Sequence, residues 1–158
     1  MMDGNEYRKV LGKHPTGVTL VTSSSPEGPL GMVIGSFVSV SMSPPLVGFL
    51  PGKESKKKKK MKNENKFCVN VLSDQQENVA NEFFRRENDP WEVVPWHESP
   101  EGLPSIDGSL ASIDCSVFDV VEAGDHWFVL GEVLGAEIME TGSPLLFLGG
   151  AYGQYRGN

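Results

Sequence analysis

The strongest constraint on this chain is a succession of short β-branched runs separated by turn clusters, with a secure helical pattern in one place. Gly17-Val18-Thr19-Leu20-Val21-Thr22 is the first such run, and it gives way to the turn formers Ser23-Ser24-Ser25-Pro26-Glu27-Gly28. A second strand is expected over residues 30–34. Residues 37–41 then alternate, with Phe37, Ser39 and Ser41 on one side and Val38, Val40 and Met42 on the other. Pro44-Pro45 has no backbone donors, so it must interrupt a ladder or lie at its edge. Residues 46–50 resume an apolar strand that Pro51-Gly52 stops. Residues 67–72 form another, in which Asn70 stands where a core strand would favour an aliphatic. Residues 110–121 and 126–137 are close enough across Glu122-Ala123-Gly124-Asp125 for a hairpin, and residues 144–148 supply a last strand.

Helix is expected over residues 75–84, with Ser73 as N-cap, Gln76 three residues on, and Val79 and Phe83 sharing a face. Arg85 and Arg86 would then sit at the negative end of its dipole. Residues 55–64 read as a short helix or a polar loop. Residues 87–108, with four prolines and with Trp91 and Trp96, read as an excursion over the core rather than a linker. Six or more strands with short turns point to an all-β, closed or nearly closed barrel, with a β-sandwich as the other solution. Strands and helices do not alternate, which argues against a doubly wound dinucleotide fold.

The 158 residues suit one domain with a real core. Cys68 and Cys115, each among apolar neighbours, read as buried thiols of a reducing compartment. No run of 18 apolar residues suggests a membrane span, and residues 1–15 have no apolar signal core, so a cytoplasmic setting is expected. The net charge of −7 is unevenly spread: residues 1–79 carry +4 and residues 80–158 carry −11. Much of the positive charge is the run Lys56 to Lys60, followed by Lys62 and Lys66. It lacks interleaved aromatics and the rest of the chain would repel a polyanion, so no nucleic-acid partner is expected.

Several familiar sites are missing: a paired-cysteine metal motif, a phosphate loop ending in Lys-Ser/Thr, and a nucleophile elbow. His14, His97 and His126 fall in different elements, so no metal site is expected. Serines dominate the remainder. Ser36, Ser39, Ser41 and Ser43 surround Pro44-Pro45, and Ser55 lies close to Lys53. Hydroxyls at strand ends can hold phosphate or heterocycle carbonyls, with lysine adding point charge; each can equally satisfy its own turn. His126, opening a strand after Gly124-Asp125, can donate to a ligand amide or cap its turn. Tyr152, after Gly149-Gly150-Ala151, is flanked by residues small enough to leave room for a ring, or is an ordinary packed tyrosine.

The order of these pieces resembles the flavin reductase-like family, the FMN-binding split-barrel reductases that accompany two-component monooxygenases. The resemblance rests on Pro15-Thr16-Gly17-Val18, on Ser36-Phe37-Val38-Ser39-Val40-Ser41 with Pro44-Pro45-Leu46-Val47, and on Phe67-Cys68-Val69-Asn70-Val71-Leu72. It continues through Gly102-Leu103-Pro104, Gly124-Asp125-His126, Gly131-Glu132-Val133, Pro144-Leu145-Leu146 and Gly150 to Tyr152. It spans residues 7–155 as one domain. It implies an FMN-binding split β-barrel with one or two short helices, assembled as a homodimer. It further implies hydride transfer from NADH or NADPH to FMN or FAD, and delivery of reduced flavin to a flavin-dependent monooxygenase. Under it, Ser36, Phe37, Val38, Ser39, Val40 and Ser41 line the isoalloxazine, Lys53 and Ser55 lie near the phosphate, and Asn70 supports the pocket. His126 approaches the nicotinamide, and Tyr152 lies near the ligand. No residue is assigned as a catalytic acid or base, because the cofactors contain the redox chemistry. Where relatives carry a Ser/Thr-Trp stretch this chain has its lysine run, which would favour the phosphate-bearing FMN or FAD over riboflavin. A flavin-binding protein without turnover, acting in electron storage or interaction, is the alternative. A split-barrel enzyme for pyridoxamine phosphate is a third, which Gly124-Asp125-His126 argues against.

Overall fold

The computed structural model describes residues 1–54, 61, 64–85 and 87–158. In chain order the elements are α1 (Gly4–Leu11), β1 (Thr16–Gly17), β2 (Thr19–Ser25), β3 (Gly28–Ile34), β4 (Val38–Met42), β5 (Pro45–Phe49) and β6 (Lys66–Val71). There follow α2 (Glu77–Phe84), α3 (Pro90–Val93), β7 (Trp96–Glu98), β8 (Pro104–Ile106), β9 (Ala111–Ala123), β10 (His126–Ile138), β11 (Leu145–Leu148) and β12 (Ala151–Gln154). Seven strands form one antiparallel sheet in the order β3-β2-β6-β9-β10-β5-β4. Met32 and Ile34 of β3 share a buried cluster with Val47 and Phe49 of β5 and Val129 of β10. The sheet therefore curls until its two ends face one interior, open between β3 and β4. This is a single split barrel and not a sandwich.

The interior is filled. The cavity among Met32, Phe49, Met61, Phe67, Trp127 and Val129 is about 20 Å³, close to the size of one water. Gly131 is part of the reason: a Cβ there would lie 2.3 Å from Cζ of Phe67 and 3.0 Å from Cβ of Cys115. Gly131→Ala should accordingly cost about 1–3 kcal/mol by overpacking, read as a lowered urea midpoint at unchanged slope; an unshifted midpoint would show that Phe67 can move aside.

A second apolar cluster lies outside the barrel. Leu20 and Leu72 meet Val79, Ala80 and Phe83 of α2, Val94, Ile106 and Leu145. The excursion over residues 87–108 closes this layer. Trp91 stacks edge-on against Phe83 (centroids 5.0 Å apart) and against Trp96 (5.5 Å), and β7 pairs with β8.

Three local readings change. The serine cluster does not end the first strand, because Ser23, Ser24 and Ser25 pair with Leu30, Pro29 and Gly28, and the turn contracts to Pro26-Glu27. Ser73 does not cap α2. Its backbone bridges Pro144, and Gln76 takes the local role, accepting from the Ser73 N–H at 3.0 Å and donating to the Asp107 carbonyl at 2.9 Å. Gly149 and Gly150, both at positive φ (58° and 87°), form a two-residue hairpin turn that adds β12, a strand not expected from the sequence. Among the described residues no helix is long and apolar enough to cross a membrane.

Candidate functional site

A filled barrel leaves its surface for ligands, and one end of it gathers residues far apart in sequence. The loop after β5 folds against the β9–β10 turn through three backbone ties. Trp127 N donates to Pro51 O at 2.9 Å, Lys53 N donates to Asp125 O at 2.8 Å, and Gly52 bridges His126. Ser36 joins from the other side, its Oγ accepting from Leu50 N at 2.9 Å. Ser36, Lys53 and His126 thus belong to one rim.

His126 Nδ1 lies 2.7 Å from Asp125 Oδ1. A carboxylate can only accept, so Nδ1 carries the proton of this bond and Nε2 is the nitrogen left for a ligand. The bond to Asp125 ties the ring to its own turn through one nitrogen, the second of the two roles the sequence left open, without occupying the other nitrogen. The same hydrogen bond, reinforced by the nearby His126 charge, holds the exposed Asp125 carboxyl below the usual carboxylate range. Lys53 Nζ sits 3.2 Å from Glu122 Oε1 and 4.8 Å from the centre of the Trp127 ring. Trp127 and Glu122 were not singled out from the sequence; the signal available was that Lys53 and the 122–127 turn each flank a strand end.

β4 is the outer strand of the sheet, so alternate backbone N–H and C=O groups face away from it. Val38, Ser39 and Val40 are exposed and Ser41 is half-buried. Phe37 instead turns inward and packs on the barrel core. Ser55, with Lys56 to Lys60 and Lys62, lies outside the described residues.

The structure does not bring Asn70 to this rim, which corrects its expected place at the pocket. Asn70 is wholly buried; its Nδ2 donates to Leu20 O and Thr22 Oγ1, and its Oδ1 accepts from Ile106 N. Tyr152 lines a separate cleft of about 150 Å³ with Thr16, Val18, Val33, Phe84 and Phe147. That cleft reaches Gly35, the neighbour of Ser36. Burial, and secondarily the charge of Glu77, pushes the Tyr152 phenol up. Cys68 and Cys115 are fully buried, and burial pushes both thiols up to about 12, so neither is a thiolate nucleophile.

The strand-dominated, curled sheet puts the chain in the split-barrel class. The flavin reductase like domain model matches residues 11–156, and the chain belongs to the flavin reductase-like family. It is 44% identical over 155 residues to a flavin reductase of Pseudomonas putida, covering 98% of this chain and 91% of that one. It is 40% identical over 151 residues to HsaB of Rhodococcus jostii, the reductase subunit of a flavin-dependent monooxygenase, covering 96% and 77%. The solved structure of the Streptomyces globisporus NADH:FAD oxidoreductase SgcE6, in complex with NAD and FAD fragments, superposes with a TM-score of 0.92 at 37% identity, covering 98% and 93%.

Proposed function

We propose that this protein is an NAD(P)H:flavin oxidoreductase that transfers a hydride from NADH or NADPH to FMN or FAD and supplies reduced flavin to a flavin-dependent monooxygenase. The observation that carries the reading at the level of residues is the convergence of Ser36, which leads into edge strand β4, with Lys53 and His126 at one end of a barrel with no room inside. These groups fit a flavin and a nicotinamide. The outward N–H and C=O groups of β4 complement a heterocycle that alternates acceptors and a donor along its edge. Lys53 offers a cation to a phosphate, and its present partner Glu122 is exposed, so exchanging it costs about 0–1 kcal/mol. Nε2 of His126 can hydrogen-bond a carboxamide, with Asp125 fixing the ring.

When bound, the flavin is the two-electron acceptor and the reduced nicotinamide the hydride source; the protein holds the two in register. Residues 36–41 position the flavin ring, Lys53 its phosphate, and His126 the nicotinamide carboxamide. We read the working unit as a homodimer, in keeping with a site that lies open on the surface of one chain. Steady-state NADH and NADPH oxidation, with and without FMN, FAD and riboflavin, tests the reading: flavin-dependent oxidation is expected. A retained flavin that neither nicotinamide bleaches would instead mark a flavoprotein without turnover. Lys53→Ala should weaken FMN roughly tenfold, the worth of one charge-assisted contact, while riboflavin binding stays within about twofold. Equal losses for both flavins would remove Lys53 from the phosphate.

A further inference from the structure

Lys53 reaches the rim already partnered, and its partners are not alike. Its backbone N–H donates to Asp125 O at 2.8 Å. Its ammonium lies 4.8 Å from the centre of the Trp127 ring, and that ring packs on the barrel core. Both contacts are built into the rim, and together they fix where the ammonium sits. The third contact is of another kind. Glu122 Oε1 is 3.2 Å from Nζ, and the Glu122 side chain is 71% exposed against 30% for Lys53.

The register of the hairpin explains why these groups meet. Glu122 and Trp127 are direct partners in the β9–β10 ladder, so their side chains leave it on one face. Lys53, tied to the turn by its backbone, lies across both. Asp125 also feels the Lys53 charge, after the hydrogen bond and charge of His126. Its carboxyl is committed to the imidazole at 2.7 Å. Glu122 has no such commitment. Of the two carboxylates beside the ammonium, it is the one that can swing into solvent and vacate its place to an incoming anion.

Given the phosphate contact assigned to Lys53 above, on which this rests, we infer that Glu122 competes with the flavin phosphate for Lys53. It is thereby a specificity-determining residue, which compresses the preference of the site for FMN and FAD over riboflavin. The cost of displacing Glu122 falls on every flavin whose phosphate uses the ammonium. Riboflavin has no phosphate, leaves the pair intact and bears none of it. An exposed ion pair is weak, so the penalty is at most about fivefold in dissociation constant. At about 0.15 M salt, direct repulsion between Glu122 and a phosphate across solvent is largely screened. The effect therefore runs through Lys53 itself.

Isothermal titration of the full chain with oxidised FMN, FAD and riboflavin tests it. Glu122→Gln keeps the shape of the side chain and removes its charge; because the residue is exposed, the fold should be intact, as circular dichroism would verify. The dissociation constants of FMN and FAD are expected to fall about three- to fivefold, while that of riboflavin stays within about twofold. In the Lys53→Ala background the same substitution should change FMN binding by less than about twofold, since the two residues act as one unit. No gain for FMN, or an equal gain for riboflavin, overturns the inference. A gain undiminished without Lys53 overturns it too, because Glu122 would then act on the flavin by another route. In each of these cases Lys53→Ala still weakens FMN against riboflavin, and the phosphate contact stands. If Lys53→Ala leaves that ratio as in wild type, the phosphate contact itself fails, and the inference with it.

Discussion

His126→Ala should lower kcat/KM for NADH by roughly tenfold or more, the worth of at least one lost hydrogen bond, while the flavin dissociation constant stays unchanged. The expectation follows from the geometry of the rim. Nδ1 is engaged by Asp125 at 2.7 Å, which fixes the plane of the ring and leaves Nε2 for the carboxamide. Asp125→Asn tests the second half of that statement. An amide can donate as well as accept, so it no longer selects the Nδ1–H tautomer; a smaller loss of kcat/KM is expected, again without change in flavin affinity. The pH dependence has a definite sign. A carboxyl held below its usual range keeps its charge until pH falls through that lowered value, so the orienting bond persists through mild acid and fails below it. A profile in which kcat/KM already falls across the ordinary carboxylate range in wild type, and loses that limb in Asp125→Asn, would contradict this. Weakened flavin binding with unaltered nicotinamide kinetics in His126→Ala would move His126 to the flavin.

What could be read from the sequence was whatever is decided within a few residues. The β9–β10 hairpin was legible because Gly124-Asp125 is a local turn signal between two long apolar runs, and His126 followed from its place beside it. Strand count and the lack of alternating helices narrowed the fold to a barrel or a sandwich, and the family resemblance implied the split barrel. Parity within β4 was not legible. A bulge between Ser39 and Ser41 leaves Val40 without a partner on β5, and β4 is the outer strand of the sheet, where alternation does not decide burial. Val38, Val40 and Met42, which alternate like core residues, end up exposed. Lys53 was grouped with the lysine run by proximity in sequence, whereas its partners Glu122, Asp125 and Trp127 arrive about seventy residues later. The role of Asn70 was hidden for the same reason, since its three partners sit on β2 and β8.

Asn70→Leu should destabilise the protein by about 3 kcal/mol, a fall in Tm of roughly 6–12 °C for a chain of this size. Leucine keeps the branching of asparagine but is bulkier and cannot hydrogen-bond, so the loss of three hydrogen bonds is joined by overpacking. Nδ2 donates to the Leu20 carbonyl at 3.0 Å and to Thr22 Oγ1 at 3.2 Å, and Oδ1 accepts from the Ile106 N–H at 2.8 Å. With the residue wholly buried, water cannot replace those partners without opening the layer. Thr22 Oγ1 in turn donates to the Pro104 carbonyl, so one side chain holds both ends of β8 to the barrel. The damage should therefore begin there: amide exchange in β7 and β8 should accelerate before exchange in β9 and β10. At temperatures where the variant remains folded, the kinetics toward NADH and flavin should be close to wild type, because none of the rim residues touches Asn70. This is the measurement that separates a structural asparagine from a flavin ligand. A variant that kept its Tm and lost flavin affinity would return Asn70 to the pocket.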